Sequence, residues 1–358
     1  MKTADDQASE DLAKSRNADF IVWDRSFLDL IGPHGKVEEI QSFPEEEHRV
    51  HEAPVFLEET NELLYSDTDI IGWLWAVNID THETRKLYTD PPLNNVNGAT
   101  YHDGLVYLTT NGGKVRGLYS LNVTTGKAET ILNNYRGRRF NSPNDLVFDS
   151  KGNILFTDPT YGWYKWPGVQ PPELPKAVYS FNPSTGTVTT LSNNVVFMPN
   201  GLALARDEKT LYIADSASTP TSGGNLSDIR NVWAFDYEAG TVLRNPRVIY
   251  QADSGWPDGI RVTAGGYLMI AVAGGIDVVD PESGLYLGKI NTPNDIIFNV
   301  QAACGKGRGV WLLTGLKHIY KVTMDEGGVR TSGPEKAQTG AGFVQAVKSF
   351  VAGSKEEL

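Results

Sequence analysis

The sequence predicts an all-β fold, a six-bladed β-propeller, on three observations. The first is a repeated hairpin signature. Ser142-Pro143-Asn144-Asp145-Leu146-Val147-Phe148 runs through a turn at residues 149–153 into Ile154-Leu155-Phe156-Thr157-Asp158. That is an Asn, an apolar strand, a Gly-containing turn and a second strand ending on small polar residues. Aligned on Asn144, the unit recurs from Glu52, Asn97, Asn200, Asp258 and Asn294, so a carboxylate or carboxamide leads all six. The second observation is the period. Leading positions at 52, 97, 144, 200, 258 and 294 are separated as units of several strands in a radial repeat are. The third is turn chemistry: 36 Gly and 19 Pro in 358 residues suit a chain of many short hairpins.

The elements follow in chain order. Residues 1–19 are polar and lack the apolar core of a signal peptide, so they are expected to form a flexible tail. Residues 20–23 and 36–40 read as strands around Gly32-Pro33-His34-Gly35 and are expected to complete the last blade, since a ring must close to remove its sheet edges. Outer strand pairs follow the leading hairpins at 72–77 with 83–87, 117–121 with 128–131, 177–181 with 188–191, 231–237 with 246–250, and 276–279 with 285–289. Asp-, Asn- or Gly-containing turns mark most of these pairs. Residues 319–322 read as the last strand. One domain is expected over 20–340, with a C-terminal tail at 341–358. Two insertions interrupt the series: 162–176, with Trp163, Tyr164, Trp166 and four prolines, and 216–229, rich in Ser, Thr and Gly. Long loops beside a site commonly form its walls.

Composition narrows the function classes. A net charge of −12 argues against nucleic acid or an anionic membrane as the partner, and no apolar run approaches spanning length. A single cysteine, Cys304, excludes an internal disulfide and any multi-cysteine metal site. Gly-x-Ser-x-Gly, His-Glu-x-x-His and phosphate-loop patterns are absent from the sequence. In a propeller the six leading residues converge at one mouth of the central channel. A ring of Glu, Asn, Asn, Asn, Asp and Asn offers the hard oxygen donors that suit calcium.

The stretches Phe140-Asn-Ser-Pro-Asn-Asp-Leu-Val-Phe148, Ile154-Leu-Phe-Thr-Asp-Pro-Thr-Tyr-Gly162, Met198-Pro-Asn-Gly-Leu-Ala-Leu204, Leu211-Tyr-Ile-Ala-Asp-Ser216 and Trp256-Pro-Asp-Gly-Ile-Arg261 resemble the gluconolactonase/senescence-marker-protein/luciferin-regenerating-enzyme family. His51-Glu-Ala-Pro-Val-Phe56 resembles its fungal lactonohydrolase branch in particular, and the likeness spans roughly residues 20–325. It implies a six-bladed propeller with one catalytic divalent ion, usually calcium, held by Glu52, Asn144, Asn200 and Asp258. Asn97 and Asn294 share the repeat register and are expected to line the channel or to cap turns. The implied reaction is lactone hydrolysis, with a small-molecule lactone as the partner.

For the general base, Asp258 is the first choice and Glu52 the alternative. Asp145 follows a proposed ligand and is expected either to orient it or to serve the turn. Asn97, Arg139, Asp158, Tyr161 and His51 are candidates for substrate binding. Asp158 and Asp215 also admit a purely structural reading as buried hydrogen-bond acceptors. His51 and His102 are the two histidines beside leading positions and are candidates to shuttle a proton. Other readings stay open on the same architecture: a calcium-dependent phosphotriesterase, a ligand-binding propeller without turnover, or a strictosidine-synthase-like propeller. Another divalent cation and the lactonising or isomerising direction stay open too. A cytoplasmic location is expected. The terminal Lys-Glu-Glu-Leu and the sequons at Asn122 and Asn225 leave the endoplasmic reticulum lumen, or secretion after removal of a leader, as the alternative.

Overall fold

The computed structural model describes residues 10, 13–68, 72–113, 116–191, 195–220, 223–225, 227–304 and 309–328. The expected tail at 341–358 and most of residues 1–12 lie outside them. The fold is all-β, 52% strand and 7% helix. Among the described residues no helix is long and apolar enough to cross a membrane.

Two N-terminal strands, β1 (Phe20–Val22) and β2 (Lys36–Ser42), flank a short helix, α1 (Ser26–Ile31). The first sheet is β3 (His51–Leu57), β4 (Glu62–Asp67), β5 (Leu74–Asn78) and β6 (Thr84–Leu87), paired in that order. The second is β7 (Val96–His102), β8 (Leu105–Thr110), β9 (Gly117–Leu121) and β10 (Ala128–Leu132). A small hairpin follows, β11 (Asn134–Tyr135) with β12 (Arg138–Arg139). The third sheet is β13 (Leu146–Phe148), β14 (Ile154–Asp158), β15 (Ala177–Asn182) and β16 (Thr187–Thr190), with helix α2 (Tyr161–Lys165) inserted after β14. The fourth is β17 (Pro199–Leu204), β18 (Thr210–Asp215), β19 (Asn231–Glu238) and β20 (Val242–Gln251).

The remaining strands are β21 (Ile260–Val262), β22 (Leu268–Asp280), β23 (Leu285–Ala302), β24 (Val310–Gly315) and β25 (His318–Thr323). They form a single seven-stranded sheet because β23 runs 18 residues without a turn. Its first half pairs with β22 (Gly275↔Asn291) and its second with β24 (Val300↔Leu313). The sheet therefore divides into two sets of four strands, β21-β22-β23-β1 and β23-β24-β25-β2. The N-terminal segment closes two sets, not one: Ile21 faces Lys289, and Val37 faces Val322. Residues at the end of the expected tail dock as well, since Asn291 Nδ2 donates to the Ala18 carbonyl at 2.7 Å.

The middle strands read as unbroken apolar runs because both of their faces are buried. Consecutive residues enter different clusters, each lying between two neighbouring sheets. Leu63 and Leu64 point to opposite sides, as do Tyr107 and Leu108, Leu155 and Phe156, Tyr212 and Ile213, Met269 and Ile270, and Leu312 and Leu313. Each such side chain contributes roughly 1.5–3 kcal/mol when fully buried, so the stability is distributed between the sheets. The first strands touch one another in a closed cycle: β3 with β7, β7 with β13, β13 with β17, β17 with β21, β21 with β23, and β23 with β3.

The sixth leading residue is Asn299 and not Asn294. Asn294 is exposed with φ 67°, five residues upstream, where β23 is still leaving the preceding set. Asn299 is buried, is paired with Thr314 in the β23–β24 ladder, and lies where a Cβ on Gly259 of the preceding first strand would strike its carboxamide.

Candidate active site

Adjacent first strands are stitched by hydroxyls at the ends of the second strands. Thr157 Oγ1 accepts the Asp145 N–H at 3.1 Å and donates to the Asn200 carbonyl of the next sheet at 2.8 Å. Thr109 does the same one sheet earlier, accepting from Gly98 N at 2.8 Å and donating to the Asn144 carbonyl. Ser66 donates to the Val96 carbonyl at 2.6 Å, and Ser216 donates to the Pro257 carbonyl at 2.5 Å. The residue after a lead is glycine where two first strands crowd together. A Cβ on Gly98 would strike the backbone of Asn144, and one on Gly201 the backbone of Asp258. These contacts fix the leading backbones, and with them the side chains they carry.

Register breaks re-aim the leads. The β3–β4 pairing shifts between Glu52 and Val55, the β7–β8 pairing between Val96 and Ala99, and the β17–β18 pairing between Pro199 and Leu202. In the first of these, fully buried Ala53 takes φ 55°, a conformation rare for a residue with a Cβ, held beside Glu52.

Glu52, Asn144, Asn200 and Asp258 are all buried. Glu52 Oε2 accepts from Asn299 Nδ2 at 2.9 Å, and Asp258 Oδ2 from the Trp256 indole at 3.1 Å. Asn200 Nδ2 donates to Ser216 Oγ at 3.0 Å and to the Tyr161 hydroxyl at 3.3 Å. Asn144 Oδ1 is buried and has no hydrogen-bond partner among the described residues. Burial, then the nearby Asp258 charge, hold the Glu52 carboxyl well above its usual range, while burial raises Asp258. Two buried carboxylates, one raised by the charge of the other, and a buried amide oxygen without a partner among the described residues, all carried by leading residues of the first strands, form a donor set that itself holds no positive charge. A divalent cation with oxygen preference fits it. Among the described residues no three His, Cys, Asp or Glu side chains cluster as a metal site. The set here is two carboxylates with amides.

Other expected residues separate into near and far. Tyr161 is near: its hydroxyl meets Asn200, and burial, then the Asp258 charge, push its pKa far up. Asn97 Oδ1 accepts from Asn111 Nδ2. Asp145 is buried against Arg261 Nη1 at 3.3 Å. Arg139 is half-exposed on the β11–β12 hairpin and committed to Glu173, its Nε donating at 2.6 Å. Asp158, also expected at the substrate, has its two oxygens accepting the N–H groups of Asn141 and Ser142, and so clamps the approach to Asn144. Asp215 repeats this with Phe197 and Met198, at 2.8 and 2.9 Å.

His51 points away from its neighbour Glu52, stacks on Phe43 with centroids 3.9 Å apart, and uses Nδ1 on the Gly315 carbonyl at 2.7 Å. Burial lowers its pKa to about 4. Its ring is held in place by packing and by that one hydrogen bond. His102 is likewise stacked, on Phe148 at 4.0 Å.

Sequence reasoning missed Asn299 and the hydroxyl stitches. Asn299 has no Pro or Gly beside it to mark it. Thr157 and Ser216 stand where second strands end, and that position was the available signal.

Comparison with known proteins supplies an independent reading. The description "SMP-30/Gluconolactonase/LRE-like region" matches residues 50–309. The chain is 33% identical over 339 residues to lactonohydrolase oryL of Aspergillus oryzae, covering 85% of this chain and 76% of that one. Its fold resembles a gluconolactonase from Xanthomonas campestris (TM-score 0.71, 24% identity, 85% of this chain and 94% of the other). It also resembles the calcium-binding protein regucalcin from Agrobacterium tumefaciens (TM-score 0.62, 14% identity, 85% and 98%).

Proposed function

The chain belongs to the SMP-30/gluconolactonase/LRE-like family, and from that premise we propose that it is a calcium-dependent lactonase built as a six-bladed propeller. The closed cycle of first-strand contacts and the six inter-sheet clusters support the six blades. Similarity to the oryzae lactonohydrolase supports the reaction, and the calcium-binding regucalcin supports the ion. One observation carries the site: Glu52 and Asp258 are two buried carboxylates, the Asp258 charge helping to raise Glu52, and Asn144 Oδ1 is buried with no hydrogen-bond partner among the described residues.

Glu52, Asn144, Asn200 and Asp258 would hold the cation. The chemistry such an ion supplies is Lewis-acid polarisation of an ester carbonyl. Asp258 is the general base. It takes a proton from the water whose oxygen attacks the lactone carbonyl carbon. The ring C–O bond then breaks as the carbonyl re-forms, and the alkoxide takes the proton that Asp258 removed from water, which gives the hydroxy acid and restores the Asp258 carboxylate. The Trp256 indole fixes the Asp258 carboxylate, and Asn299 fixes Glu52. Tyr161 and Asn97 contact substrate from the mouth. Asp258→Asn tests the assignment, with metal content and turnover read on one sample. Retained metal with turnover down about 100-fold or more supports the base role, and a variant of undiminished rate refutes it.

A further inference from the structure

One hydroxyl stands between two of the leading residues. Ser216 follows the last residue of β18, is fully buried, and donates its N–H to the Met198 carbonyl at 3.0 Å. Its Oγ lies 2.5 Å from the carbonyl oxygen of Pro257, the residue before Asp258, and 3.0 Å from Asn200 Nδ2. A carbonyl oxygen only accepts, so the single hydroxyl proton goes to Pro257. Towards Asn200 the hydroxyl oxygen is then an acceptor.

That direction decides which way round the Asn200 amide stands. A carboxamide has an acceptor at one end and two donors at the other, on nearly the same shape, and its partners choose between the two orientations. Tyr161, whose hydroxyl is 3.3 Å from Nδ2, does not choose, because a phenol both donates and accepts. Ser216 does. Turned over, the amide would set its oxygen against the lone pairs of Ser216 Oγ and leave two buried acceptors face to face. In the observed orientation Nδ2 meets the two hydroxyls, and Oδ1 takes the opposite edge of the amide plane. The amide also acts on the Asp258 carboxyl, where it opposes the rise that burial causes, so it lies beside a second leading residue. Calcium takes oxygen ligands, and an amide nitrogen is no substitute.

We propose that Ser216 is a positioning residue that holds the Asn200 carboxamide with its oxygen available to the cation, and that the Pro257 carbonyl directs the Ser216 hydroxyl to do so. The inference rests on the calcium reading of the site and deepens it. Ser216 acts through Asn200 alone. It removes the turned-over amide from the unloaded protein, so that the ligand is already oriented when the ion arrives.

The test is a double-mutant cycle of Ser216→Ala, Asn200→Asp and the pair, read by calcium calorimetry. A carboxylate has oxygen on both edges, so the Asn200→Asp protein needs no hydroxyl to turn its ligand. Ser216→Ala is expected to weaken calcium binding by about 10- to 100-fold when Asn200 is present, as losing the partner of a metal ligand does. In the Asn200→Asp protein the same change is expected to leave affinity within about twofold. An equal loss in both backgrounds would assign the effect to the backbone contact at Pro257 and overturn the inference, as would wild-type affinity in Ser216→Ala. Nuclear magnetic resonance of the wild type, labelled with nitrogen-15 at asparagine, decides the matter even where a variant fails to fold. The Asn200 Nδ2 protons are expected to show Overhauser contacts to the Ser216 β-protons in both the ion-free and the calcium-loaded protein. Their absence from either state overturns the inference. Contacts present in a wild type that binds no calcium support the Ser216 orientation and count against the calcium reading instead.

Discussion

Replacing Thr157 with Val probes how the site is built. The two side chains have nearly the same shape, and Thr157 is fully buried, so packing is preserved. What is lost is the hydroxyl between sheets: the Asp145 N–H loses its acceptor at 3.1 Å and the Asn200 carbonyl its donor at 2.8 Å. Each of the two orphaned buried groups costs about 1–3 kcal/mol, so the variant should lose about 2–6 kcal/mol. At the shallow slope of a large domain this is a fall of about 4 to 12 °C in Tm. The stitched residues adjoin Asn144 and Asn200, so calcium affinity should fall as well, by about 10- to 100-fold, as when other supports of metal ligands are removed. Scanning calorimetry with and without calcium, together with a calcium titration, reads both effects. Thr157→Ser keeps the hydroxyl and should recover most of the affinity. A Thr157→Val protein that melts within about a degree of the wild type and binds calcium equally well would refute the stitch as an organiser of the site.

Three further outcomes follow from the same contacts. His51 refuses its proton in the folded state until about pH 4, against an ordinary 6.5; stability is therefore complete above 6.5 and is lost as the pH falls toward 4, by up to roughly 3 kcal/mol. His51→Gln should flatten that part of the urea-midpoint profile, and an unchanged slope would contradict the assignment. Arg261→Met leaves Asp145 buried without its cation and should cost about 3–5 kcal/mol in urea denaturation, whereas a loss below about 1 kcal/mol would show the pair to be dispensable. Arg139→Ala should leave kcat/KM within about twofold, as expected of a half-exposed residue paired with Glu173; a large rise in KM would return it to the site.

Much of this arrangement is legible in the sequence because turns punctuate it. Asn144, Asn200 and Asp258 each follow a proline and precede Gly or Asp, and the strands after them alternate between two cores. The sixth repeat misleads for the same reason. Pro293-Asn294-Asp295 copies Pro143-Asn144-Asp145, yet β23 passes through it without turning, and the strand's continuity is set by pairing with β22 and β24. Local turn chemistry cannot register such long-range pairing. Asp158 and Asp215 carry the right chemistry for ligand binding, but the loops before Asn144 and Asn200 have N–H groups to satisfy, and the carboxylates go there.

The most direct test of the central claim is a pH-stat record of lactone opening by one purified sample, followed through chelation and the return of calcium. The account predicts acid release that stops when the ion is stripped and resumes when calcium is restored. Lactone hydrolysis that continues undiminished in the stripped protein would contradict it.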